Sequence, residues 1–206
     1  MMKLKRGYLF VLEGIDGTGK STHCKILENW FAEQEIPVLR LREPTDGFWG
    51  QKIRVLLTEG RKGVSREEEL EWFINDRKED VELNILPALK EKKIVVLDRY
   101  YFSTAAYQGA LGLDPHRIIT DNESFAPKPD RAFFFKTPIE ECLRRIHSTR
   151  NTVSSFEKKD YLEKVQNILN SFDDPIIRSI NSFRDRAEVQ HQLRNEIMEC
   201  FSEGEL

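Results

Sequence analysis

Residues Gly14-Ile15-Asp16-Gly17-Thr18-Gly19-Lys20-Ser21-Thr22 satisfy the pattern G-x-x-x-x-G-K-[ST] and follow directly on the apolar run Leu9-Phe10-Val11-Leu12. The pattern constrains the fold because its chemistry works in one setting only, a buried strand before the loop and a helix after it. The glycines let the chain turn with positive φ and aim backbone N–H groups inward as an anion nest, and the helix N-terminus adds the positive end of its dipole. Lys20 then reaches β- and γ-phosphates, and Ser21 is placed to ligate Mg²⁺. At average composition, chance produces the four fixed positions in a chain of this length about 1% of the time, before that context is required.

The rest of the chain repeats the strand-then-helix order. Val38-Leu39-Arg40-Leu41, Ile94-Val95-Val96-Leu97 and Ala132-Phe133-Phe134-Phe135 are apolar at nearly every residue, as expected of strands buried on both faces. A fifth strand is expected at Ile176 to Ile180, with a charged helix from Arg184 to Phe201. Between the strands lie polar segments of helical period. One opens with a capping box, Ser65 with Glu68, and Thr137-Pro138 reads as an N-cap with Pro at the first helical position. Strands alternating with helices predict an α/β fold: a doubly wound parallel sheet of about five strands, helices on both faces, in the architecture of a P-loop NTPase. The chain reads as one domain over 1–206, and the polar stretch Ser148 to Ser155 predicts a mobile lid at about 148–156.

Composition removes several classes. With 32 Lys+Arg against 35 Asp+Glu the formal net charge is −3, which argues against a protein that coats nucleic acid. No apolar stretch approaches the roughly 20 residues of a membrane span, and the N-terminal apolar run stops at Leu12, too short for a signal peptide. Cys24, Cys142 and Cys200 are odd in number and far apart, without zinc spacing, so a reducing cytoplasm is expected.

A phosphate loop serves kinases, switches and motors alike. No Asn-Lys-x-Asp guanine-reading element occurs, and the chain is small and acidic for a helicase core. Asp98, at the end of the third strand, stands where a P-loop protein keeps its Mg²⁺-organising carboxylate. Arg42 follows the second strand, Arg99 the third, and Arg150 lies in the expected lid. A single arginine on so charged a chain is ordinarily a surface ion pair. Their joint placement at one sheet edge suggests a second phosphate beside the first.

Seven separated blocks stand in the order and spacing of thymidylate kinases: Glu13 to Thr22, Arg42-Glu43-Pro44, Phe73 with Arg77, Asp98-Arg99-Tyr100, Ala106-Tyr107-Gln108-Gly109, Pro127-Lys128-Pro129-Asp130 and Phe156-Glu157. The chain resembles that family over about residues 8 to 160. The resemblance implies transfer of the γ-phosphoryl of ATP to dTMP, giving dTDP for dTTP synthesis, with Mg²⁺ as cofactor, in a homodimer. It implies that ATP lies on Gly14 to Thr22 and that Asp16 holds the sugar 3′-hydroxyl and helps Ser21 and Asp98 organise metal. Arg42 and Arg99 would grip the acceptor phosphate as a pair of buried guanidiniums, Phe73 would stack on thymine, and Arg77 with Thr104 would read the base. Tyr107, beside Gln108 in the dTMP pocket, would exclude a 2′-hydroxyl. Lys20, Asp98, Arg99 and Arg150 would carry the transfer.

One departure touches the lid. Relatives with Gly rather than Arg after the P-loop Asp usually carry several lid arginines. Here Gly17 holds that place, yet Ser148 to Ser155 contains only Arg150, with Arg144 and Arg145 on the helix before it. Two alternatives remain at this point: a deoxynucleoside kinase with Glu43 as general base, and a nucleotide-binding regulator without catalysis.

Overall fold

The structure, a computed structural model, describes residues 4–61, 63–149 and 155–203. Five strands, β1 (Tyr8–Glu13), β2 (Val38–Arg42), β3 (Ile94–Asp98), β4 (Arg131–Lys136) and β5 (Ile177–Asn181), form one sheet in the order β2-β3-β1-β4-β5. Every pairing is parallel, so each connection returns over a face of the sheet. This is the α/β fold of a P-loop NTPase.

Side-chain alternation explains the three layers. Along β1, Leu9 and Val11 point to one face with Val95, Leu97, Ala132 and Phe134. Tyr8, Phe10 and Leu12 point to the other with Ile94, Val96, Phe133 and Phe135. Helices α1 (Lys20–Glu33) and α9 (Arg186–Glu203) cover the second face through Leu27, Phe31, Leu193 and Ile197. The first face is covered by α4 (Leu86–Lys90), α5 (Tyr101–Ala110), α7 (Ile139–Thr149) and α8 (Ser155–Ser171). Beyond β2, helices α2 (Phe48–Glu59) and α3 (Arg66–Asp80) share a small core of Ile53, Leu56 and Trp72. A π-helical turn, Val81–Ile85, joins α3 to α4. Helix α6 (Pro115–Glu123) packs on α5.

Two local expectations change. β2 is not buried on both faces: it is an edge strand, with Arg40 and Arg42 exposed and its other residues half-buried, because only β3 flanks it. Leu39 and Leu41 pack on one face of the sheet and Val38 on the other, each of them only in part buried. Pro138 rather than Thr137 takes the cap of α7, since the Pro138 carbonyl accepts from Cys142 N at 3.1 Å, while the Thr137 hydroxyl bonds Ser182. The cap at Ser65 is as expected, its Oγ accepting from Glu68 N at 3.1 Å. Among the described residues no helix is long and apolar enough to cross a membrane, and Cys24, Cys142 and Cys200 are free thiols in the core.

Candidate active site

The loop after β1 crosses the carboxyl edge of the sheet between β3 and β4. Gly14 has φ +143°, and a Cβ there would lie 2.8 Å from the Phe135 carbonyl oxygen at the end of β4. Gly17 has φ +85°, and its Cβ would lie 2.6 Å from the Cys142 carbonyl oxygen of α7. Both positions therefore need glycine twice over, for backbone conformation and for space. Lys20 is buried and donates to the Gly14 carbonyl at 2.9 Å, the Ile15 carbonyl at 2.8 Å and Thr18 Oγ1 at 3.4 Å. Burial, reinforced by Arg99, lowers its pKa to about 8, which leaves it an ammonium at neutral pH. Ser21 Oγ donates to Asp98 Oδ2, so β3 and the N-terminus of α1 meet through these two side chains. Arg145, on α7, donates Nη1 to the Gly17 carbonyl at 3.2 Å and Nε to Glu141.

A second set of groups faces the loop from β2, β3 and α5. Arg42 is cross-strand partner to Asp98 and exposed. Arg99 has φ +72° and directs both terminal nitrogens to fixed oxygens. Nη1 meets the Gly14 carbonyl at 3.2 Å and Ser103 Oγ at 3.1 Å, and Nη2 meets Asp16 Oδ1 at 2.9 Å and Tyr107 Oη at 3.3 Å. Tyr107 Oη in turn accepts from Asp16 N and donates to Asp16 Oδ2 at 3.0 Å. The Asp16 side chain is 51% exposed, whereas that of Arg99 is 15% exposed.

The third group lines the space between α3, α5 and α6. Arg77, 1% exposed, grips Glu43 with Nε and Nη2, bonds Thr104 Oγ1 at 3.0 Å and Asn122 Oδ1 at 2.6 Å, and lies over the Tyr100 ring. Burial works against its charge, but Glu43 outweighs burial and holds the guanidinium above its ordinary pKa. Phe73, one helical turn earlier, is half-buried against the α2–α3 core. Gln108 donates to the buried Glu69 at 2.9 Å, and its own Oε1 has no protein partner.

A thymidylate kinase family profile matches residues 12–192. The chain belongs to the thymidylate kinase family. A thymidylate kinase of Desulfotalea psychrophila is 48% identical over 188 residues, 91% of this chain and 92% of the relative. One from Akkermansia muciniphila is 40% identical over 92% of this chain and 91% of its own. A probable thymidylate kinase of Pyrococcus horikoshii is 48% identical over 74% and 76% respectively.

For a thymidylate kinase family member, the residues singled out in the sequence converge well. Gly14 to Lys20, Ser21, Asp98, Arg99, Asp16 and Tyr107 form one hydrogen-bonded constellation, and Arg77 and Thr104 form a second with Phe73 nearby. Thr22 is exposed on the first turn of α1. Arg42 corrects an expectation, since it is not a buried guanidinium but a cation on the open edge of β2, and among the described residues no hydrogen bond or ion pair engages it. Arg150 lies outside the described residues. Glu43 is fully engaged by Arg77 and therefore poorly suited to deprotonate a hydroxyl, which disfavours the deoxynucleoside-kinase alternative.

Sequence reasoning gave no role to Glu13, Ser103, Glu69 or Asn122, of which Ser103 bonds Arg99, Glu69 bonds Gln108, Asn122 bonds Arg77, and Glu13 bonds Ser103. A carboxylate ending an otherwise apolar strand was the available signal for Glu13. The donor set also suits Mg²⁺. Ser21 and Asp98 offer hard oxygens, and among the described residues no cluster of three or more His, Cys, Asp or Glu competes as an all-protein cage. Magnesium characteristically takes few protein ligands and relies on phosphate and water for the rest.

Proposed function

We propose that this chain transfers the γ-phosphoryl of ATP to dTMP, giving ADP and dTDP in the supply of dTTP. The observation that carries the reading is the pairing of two anion-binding devices at one sheet edge. The P-loop with Lys20 faces Arg99, and Arg42 stands beside Asp98 on the next strand, so a donor phosphate and an acceptor phosphate can lie side by side.

Gly14 to Thr22 would cradle the donor, with Lys20 exchanging its loop carbonyls for the migrating phosphoryl. Ser21 and Asp98, with help from Asp16, would hold Mg²⁺, which when bound neutralises charge on the β- and γ-phosphates. Arg42 and the Nη2 edge of Arg99 would take the acceptor phosphate. Asp16, released from Arg99 as that phosphate arrives, would accept the 3′-hydroxyl. Tyr107 would occupy the space of a 2′-hydroxyl, and Phe73, Arg77, Thr104 and Gln108 would hold the base. The acceptor needs no general base, because a phosphate monoester with second pKa about 6 is already largely dianionic at pH 7.

The role of lid arginine falls to Arg150 or Arg145, and the bond from Arg145 to the Gly17 carbonyl supports Arg145 as a contributor. The same reading takes the chain as one kinase domain with its lid around 148–156, working as a homodimer in the cytoplasm without nucleic-acid or membrane partners.

Coupled ADP release with ATP and a panel of acceptors tests this directly. dTMP should turn over, whereas thymidine, lacking the anion that Arg42 and Arg99 await, should be poorer by about 10³-fold or more in kcat/KM. Robust phosphorylation of thymidine would overturn the reading.

A further inference from the structure

We infer that Glu13 and Ser103 are positioning residues for Arg99, holding one edge of its guanidinium so that the other edge is presented to the acceptor phosphate. The inference rests on the proposed role of Arg99 as acceptor clamp and adds what keeps the clamp in place.

Arg99 departs from ordinary backbone geometry. At φ +72° a residue with a Cβ sits about 1 kcal/mol or more above the right-handed region, so its surroundings must hold it there. The two edges of the guanidinium differ in kind. Nη2 faces Asp16 and Tyr107, and the Asp16 side chain is half-exposed. Nη1 faces the Gly14 carbonyl and Ser103 Oγ, both buried.

Glu13 lies behind both Nη1 partners. It precedes Gly14 in the chain, and its Oε2 accepts the one hydrogen of the Ser103 hydroxyl, which orients that oxygen's lone pairs toward Arg99. Its Oε1 accepts from Tyr100 N at 2.9 Å, so the residue after Arg99 is tied to the same carboxylate. Glu13 is fully buried at the end of a strand whose other residues are Tyr, Leu, Phe, Val and Leu. A buried carboxylate is expensive unless its oxygens are used. Here both are used, one on Tyr100 N and one on the Ser103 hydroxyl, with the charges of Arg99 and Lys20 acting on the carboxylate.

The experiment compares wild type, Ser103→Ala, Glu13→Gln, Arg99→Ala and the double variant Ser103→Ala/Arg99→Ala. Calorimetric binding of dTMP and of thymidine is measured together with kcat, KM for ATP and thermal unfolding. Ser103→Ala should weaken dTMP about 10-fold while leaving thymidine affinity, KM for ATP and circular dichroism near wild type. Glu13→Gln keeps an oxygen for only one of its two donors, so it should give the same pattern with a smaller or equal loss. On the Arg99→Ala background, Ser103→Ala should cost nothing further, because its effect runs through the missing guanidinium.

Equal weakening of dTMP and thymidine, full additivity with Arg99→Ala, or a Ser103→Ala protein identical to wild type while Arg99→Ala is impaired would each overturn the inference alone. If Arg99→Ala itself leaves dTMP binding unchanged, the clamp reading fails, and the positioning role falls with it.

Discussion

Lys20 carries the most direct consequence at the scale of one residue, because its three oxygen partners all belong to its own loop. Phosphoryl transfer depends on positioning and charge, so Lys20→Ala should lower kcat by about 10²-fold or more while thermal unfolding stays near wild type. Its depressed pKa also gives a pH signature. The free enzyme should lose kcat/KM for ATP as pH rises through about 8, and kcat should hold to higher pH because bound phosphates favour the ammonium. A pH–rate profile reads both limbs. Glu43 offers the contrasting case. Glu43→Gln removes the charge that Arg77 grips in the interior, and it should destabilise the fold by about 3 kcal/mol and raise KM for dTMP, measured by urea unfolding and initial rates. Roles that depend on a motif position, such as Lys20 or Asp98, were legible because the spacing itself encodes the geometry. Glu13 and Ser103 were not, since a Glu before the loop and a Ser on a helix acquire meaning only when β1 and α5 are brought together across 90 residues of chain.

Among the elements, α7 packs directly against the P-loop without being joined to it by sheet pairing. Gly17 has no room for a methyl group against Cys142, and Arg145 leans from the same helix onto the Gly17 carbonyl. Gly17→Ala should therefore displace α7 and its arginine together. The expected outcome is a loss of kcat of about 10-fold or more with a smaller change in dTMP affinity, read by single-turnover rates alongside calorimetry. The strands themselves were legible to within a residue or two because their apolar runs are short, dense and bounded by turn residues. What the runs could not disclose was lateral order. Val38 to Leu41 differs from Ile94 to Leu97 in polarity only at Arg40, yet one is an edge and the other is flanked on both sides, a distinction made by pairing partners. The Thr137 cap failed for a related reason, its hydroxyl being claimed by Ser182 at the far end of β5.

For the molecule as a whole, the buried carboxyl of Glu13 links stability to pH. Burial lifts its pKa from 4.5 to about 7, against the pull of Ser103 and Arg99. Below pH 4.5 the group is protonated in native and unfolded chains alike, and its contribution to stability is fully present. As pH rises through about 7 the native state must ionise it at greater cost, and about 3 kcal/mol is lost. Unfolding free energies measured between pH 4.5 and 8 should therefore decline more steeply for wild type than for Glu13→Gln. The sheet order has a consequence in time as well as in space. Ser21 meets Asp98 across 77 residues, Asp16 meets Arg99 across 83, and Tyr107 reaches Asp16 across 91, each contact depending on β1 lying next to β3. Such closures are slow compared with forming a helix, so the phosphate loop exists as a sequence long before it exists as a receptor. During refolding, protection of the chain by ATP should appear with the last cooperative phase and not with early helix formation, and a nascent chain that has not yet emerged past β3 has no working nucleotide site to protect it.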